Sequence, residues 1–61
     1  MLSVKEIKEK KLQNDTFIVS EMIGISRDAV RKHLDRPSSK RLIEICKAYT
    51  KVIRQREKLL K

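Results

Sequence analysis

One glycine and one proline punctuate this chain, Gly24 and Pro37, and polar turn-forming residues at Gln13-Asn14-Asp15 add a third break. Every other stretch carries apolar residues at spacings of three and four, without sustained alternation. The punctuation therefore divides the chain into helices and short connections. It leaves no linker, repeat or low-complexity segment. With 61 residues there is one domain, spanning residues 1–61, and a core just large enough to fold alone. An all-α fold of about four helices follows, the last of them long.

Local signals set the expected boundaries. Ser3-Val4-Lys5-Glu6 fits a capping box, so the first helix starts near Ser3, with Leu2 and Ile7 as a hydrophobic staple. Val4, Ile7 and Leu12 form its thin apolar stripe. Gln13-Asn14-Asp15 has turn chemistry and is expected to end it. The second helix is expected from Thr16 or Phe17 to Ile23, capped by Asp15 or Thr16. Gly24 stops it, since glycine takes positive φ without a Cβ clash. Ser26 caps a third helix over Arg27–Leu34, with Asp28 well placed in its first turn. Asp35-Arg36-Pro37-Ser38 breaks that helix. Ser38 or Ser39 caps the fourth, expected over residues 39–60.

Thr16–Asp35 has the layout of a helix-turn-helix: short helix, glycine turn, second helix opening on serine. Ser20 supplies the small residue where two steeply crossing helices touch. Val19, Ile23, Ile25 and Val30 supply the apolar seam, with Leu34 one turn on. Ser26, Arg27, Asp28, Arg31 and Lys32 are left for the outer face. The charge agrees with this polarity. Residues 1–26 are neutral overall, and the whole net charge of +8 lies from Arg27 onward. Such asymmetry suits a polyanion-facing side or a solvated basic helix surface.

Val19-Ser20-Glu21-Met22-Ile23-Gly24-Ile25-Ser26, Ala29-Val30-Arg31-Lys32-His33-Leu34, Arg36-Pro37-Ser38 and Leu42–Tyr49 together resemble the Cro and lambda-repressor (Xre-like) helix-turn-helix family. The likeness covers Phe17–Tyr49. The first helix is shorter and more charged than the family's. One long helix stands where the family has a compact final one. The resemblance implies that Arg27–Leu34 enters the DNA major groove. Arg offers a fork to guanine O6/N7, Lys a point donor, and Asp an acceptor for cytosine N4. The expected base-contacting residues are Ser26, Arg27, Asp28, Arg31 and Lys32. The expected phosphate contacts are Thr16, at the start of the second helix, and Arg36, Lys40 and Arg41 around the next loop. Phe17 is assigned to the core, and RNA binding is disfavoured for want of exposed aromatic rings.

Other chemistry finds little support. Cys46, the single cysteine, forms no disulfide within the chain and reads as core or dimer seam. His33 reads as a partly buried helix residue. No nucleophilic triad, metal-ligand cluster or carboxylate pair stands out, so neither an enzyme nor a cofactor is expected. The small core leaves no pocket for a small-molecule effector. No apolar run reaches the ~20 residues of a membrane span, and the first residues lack a signal-peptide stretch. A cytoplasmic, soluble protein is expected.

The last helix carries more apolar surface than three short helices need. Leu42, Cys46, Tyr49, Ile53 and Leu60 fall in 4-3-4 steps interrupted at Arg56, and Ile45, Val52 and Leu59 repeat every seven. Tyr49, Val52, Ile53, Leu59 and Leu60 are therefore expected to form a homodimer seam. The alternative is fraying after about Lys51 into a basic tail. The leading expectation is a sequence-specific double-stranded DNA-binding regulator, a phage- or mobile-element-type repressor on a palindromic operator. The rivals are an excisionase-like or architectural DNA-bending protein, and a module that docks an acidic protein.

Overall fold

The computed structural model describes residues 1–59. It is all-helical over that range: α1 is Val4–Lys10, α2 Gln13–Ile23, α3 Arg27–Leu34 and α4 Leu42–Leu59. α4 is the spine, and α1, α2 and α3 all pack against it.

α1 begins as its sequence dictates. Ser3 Oγ accepts the Glu6 N–H at 3.2 Å, and Glu6 Oε1 accepts the Ser3 N–H at 3.2 Å. Both donors would otherwise be orphans of the first turn. Leu2 and Ile7 are both buried in the core.

The connection to α2 corrects the expected boundary. α1 stops at Lys10, with Lys11 and Leu12 extended, and α2 starts at Gln13. Gln13-Asn14-Asp15 is the first turn of α2, not a loop. Leu12 has no side-chain acceptor to cap with. Asp15 serves from inside the helix instead, its Oδ2 accepting the Leu12 N–H at 2.9 Å. The same carboxylate is bonded by Arg56 from α4, and Arg56 Nη2 donates to the Lys10 carbonyl at 2.9 Å. One guanidinium thus ties the α1–α2 connection to the far half of α4. That explains an arginine at an apolar seam position. α4 runs on to Leu59 rather than breaking at Lys51.

Gly24 ends α2 at φ 82°, ψ 31°, with its N–H on the Ser20 carbonyl at 2.8 Å. Ser26 caps α3 by accepting the Ala29 N–H at 3.1 Å. Ser20 is buried at the helix crossing, as its size required, and donates to the Phe17 carbonyl at 2.7 Å. The start of α4 is a second correction. The helix opens at Leu42, and Ser39 Oγ meets His33 Nδ1 at 2.7 Å and accepts the Arg41 N–H at 3.2 Å. Ser39 therefore shapes the preceding turn, and neither Ser38 nor Ser39 caps the helix.

Tyr49, Ile7, Ile45, Ile53, Val19 and Val30 are the fully buried centre, one or more from every helix. Thr50 Oγ1 accepts the Leu2 N–H at 2.9 Å and donates to the Cys46 carbonyl at 2.7 Å. That contact stitches the first residues onto α4. Among the described residues no buried side-chain polar atom lacks a partner, and no helix is long and apolar enough to cross a membrane.

Candidate nucleic-acid interface

α3 buries one side and exposes the other. Val30 and Leu34 enter the core, while Arg27, Asp28, Arg31 and Lys32 are exposed. Ser26 is exposed at the cap. Burial of two apolar side chains, together with the left-handed turn at Gly24, fixes which face is offered. Helical geometry then sets its four long polar arms at i, i+1, i+4 and i+5.

The arms are not all free. Arg31 is ion-paired with Asp28 one turn back, both side chains more than half exposed. An exposed pair of this kind contributes only ~0.3–0.5 kcal/mol. It aims the guanidinium without committing it. The Arg27 guanidinium carbon lies 5.8 Å from the centre of the Phe17 ring, within cation–π range and worth ~0.5–1 kcal/mol at an exposed site.

A polar cleft runs between the α1–α2 connection and α3. Lys11 and Gln13 form one wall, Ser26, Arg27, Asp28 and Arg31 the other, and the nearly buried Thr16 lies at the base between them. Lys11 and Gln13 were missed from the sequence, because placing the boundary at Asp15 hid the true start of α2. The clue was Asp15 itself, three residues after Leu12, an acceptor placed to bond a helix-start N–H. Phe17 was misassigned. It is 46% exposed, not core, because Val19 and Ser20 already fill the α2 seam.

Thr16 is a further correction. Its side chain is buried and its Oγ1 sits 2.7 Å from the Tyr49 hydroxyl. Its hydroxyl is committed to the core, and only its edge lines the cleft, so its side chain is poorly placed to reach a phosphate. Arg36, Lys40 and Arg41 are exposed on the loop after α3. They follow the C-terminal end of α3, a helix ~12 Å long whose other end borders the cleft. Cationic groups therefore flank both ends of the exposed face.

The proposed dimer seam divides. Tyr49 and Ile53 are fully buried in the chain's own core and unavailable to a second copy. The short helices cover more of α4 than expected, because Arg56 holds its second half against α2. Val52 is half-buried, Leu59 is 78% exposed, and Leu60 lies outside the described residues. Val52 and Leu59 line a mainly apolar groove with Leu12, just before α2, and Ile18 in its middle, and Asn14, Asp15, Gln55 and Arg56 complete its walls.

His33 is half-buried, as its helix position suggested. Cys46 is buried, and that burial pushes its thiol pKa up. A thiol held protonated is a poor nucleophile. Burial, above all, raises the Tyr49 hydroxyl as well, with the nearby Asp15 charge adding to the shift. Asp35 at the end of α3 is exposed, and its salt bridge to Lys8 (2.7 Å) lowers its pKa. Comparison with known proteins gives no match, whether by family model, by curated protein or by solved structure.

Proposed function

We infer that the protein is a sequence-specific double-stranded DNA-binding transcription regulator of the phage or mobile-element repressor type. It acts in the cytoplasm as a homodimer on a palindromic operator. One observation carries the reading: α3 turns Arg27, Asp28, Arg31 and Lys32 outward from a glycine turn while its other side is locked by Val30 and Leu34. In the groove, Arg27 and Arg31 address guanine, Asp28 addresses cytosine N4 or steadies Arg31, and Lys32 supplies a point donor. Ser26 caps the helix end that approaches the bases. Arg36, Lys40 and Arg41 clamp phosphates on one side, with Lys11 and Gln13 replacing Thr16 on the other. Repression is steric, by occupying the site polymerase needs.

Selection of bound sequences from a random duplex library tests this. A palindrome with half-sites about one turn (~34 Å) apart is the expected product. Arg31→Ala then relaxes preference at one position, at a cost of ~1–3 kcal/mol. Lys40→Ala weakens all sequences alike and lowers the salt slope by about one. Recovery of no preferred sequence, with no duplex binding at low salt, sinks the reading.

The basic rim of Lys51, Arg54 and Lys58 beside Leu59 favours a second reading for the apolar groove. There it takes an acidic amphipathic segment of another protein. A pull-down with acidic helical peptides, read against sedimentation of the protein alone, separates the two occupants.

A further inference from the structure

Phe17 is the one aromatic ring that the fold leaves in solvent, since the other aromatic residue, Tyr49, is fully buried. The core does not need it, and exposing half a phenyl ring is unfavourable. Its position is specific. Arg27, the first residue of α3, lies over the ring at 5.8 Å. Gln13 and Asn14, one turn back on α2, border the same shallow surface as Phe17 and Arg27. An apolar disc with a guanidinium above it and two amides beside it is a mixed surface. It suits a ligand with an apolar group set among hydrogen-bonding groups. Duplex DNA presents one such apolar group on the major-groove floor, the thymine C5-methyl.

We propose that Phe17 is a specificity-determining residue that packs on a thymine methyl group close to the base that Arg27 contacts. The inference rests on the duplex-DNA reading above. Proximity supports it: ring and guanidinium are direct neighbours on the exposed side where α2 meets α3. The ring also restrains Arg27 before DNA arrives, which makes Phe17 a positioning residue for that side chain. α2 thereby contributes a base-reading group of its own beside those of α3.

The test starts from the duplex selected by the wild-type protein. Each thymine is replaced singly by deoxyuridine, which removes the methyl and leaves the pairing edge intact. The expected result is one thymine per half-site whose methyl contributes about fourfold in affinity, the worth of one buried methyl. Phe17→Ala should bind the thymine and uracil duplexes equally, with the wild-type salt slope, wild-type helix content by circular dichroism and a melt lowered by only ~2–8 °C, the loss expected from the Arg27 contact. Phe17→Leu should keep part of the discrimination. Wild-type binding that is specific but indifferent to every thymine methyl overturns the proposal alone. So does a Phe17→Ala protein that still discriminates. Absence of any duplex binding overturns the proposal together with the reading beneath it.

Discussion

The Tyr49 hydroxyl and Thr16 Oγ1 meet at 2.7 Å, and both are shut away from water. Neither group has another use, so each depends on the other. Thr16→Val leaves the phenol unpaired and should destabilise the protein by ~1–3 kcal/mol in urea denaturation. Adding Tyr49→Phe to it should recover much of that loss, because an apolar pair of the same shape is nearly neutral. A loss in DNA affinity for the folded Thr16→Val protein, with stability unchanged, would return Thr16 to the phosphate contacts. The same burial gives a pH dependence. Tyr49 and Cys46 both have raised pKa values in the fold, so folding favours their neutral forms. Their contribution is complete below their ordinary values, ~10 and ~8.5, and is lost as pH rises through the higher folded values. The denaturation midpoint should therefore fall on the alkaline side, and phenolate absorbance should appear together with unfolding. Glu6 and Asp35 act at the other end. Hydrogen bonds from Ser3 and Lys8 lower their pKa values. Their stabilisation is present above the ordinary carboxylate range and is lost below about pH 4. Both are exposed to solvent, so this acid effect is the smaller.

The glycine turn sets the angle between α2 and α3. A Cβ on Gly24 would meet nothing within 4 Å, so crowding is no obstacle. Only the positive φ resists substitution. Gly24→Ala should therefore cost ~1–2 kcal/mol, the penalty of a left-handed residue with a side chain, and Gly24→Asn less. A much larger loss in denaturation would mean the turn carries packing that the structure does not show. This turn was legible in the sequence because its cause is local, as were the caps at Ser3 and Ser26 and the buried Val19, Val30 and Leu34. The start of α2 was not. Gln, Asn and Asp suit a turn and a first helical turn equally, and what decided between them was Arg56, 41 residues away in sequence from Asp15. The same ion pair explains why Tyr49 and Ile53 were misread as seam. Heptad spacing reports which face of α4 is apolar, but not how far α1 and α2 reach along it. Arg56→Leu should cost ~3 kcal/mol, by leaving the buried Asp15 carboxylate without its counter-charge and with only the Leu12 N–H as partner. Amide exchange should then quicken from Val52 to Leu59 before the rest of α4. Uniform exchange along α4 in that variant would show that the latch does not hold the helix end.

At the scale of the whole molecule, two demands on the charge oppose each other. A net +8 draws the protein to phosphate and drives two copies apart. The apolar groove of Leu12, Ile18, Val52 and Leu59 is also modest. A stable interface takes ~800 Å² from each partner, and this chain exposes 4628 Å² in all. Four partly covered side chains fall well short of such a share. On the proposed reading, then, the dimer should be weak in free solution and be completed on DNA, where phosphates would neutralise the repulsion. Salt should act with opposite signs on the two equilibria. Screening, with a Debye length of ~10 Å at 0.1 M, favours association of the free protein, while released counterions make salt weaken DNA binding. Sedimentation across a salt series, beside duplex binding across the same series, should show the slopes diverging. Leu59→Lys isolates the dimer, because a side chain 78% exposed can be changed without unfolding the chain. That variant should bind a single half-site as the wild type does and lose the extra affinity for the palindrome. If wild type and variant bind palindrome and half-site with the same affinity per site, the protein acts as a monomer, and the groove is left to a different partner.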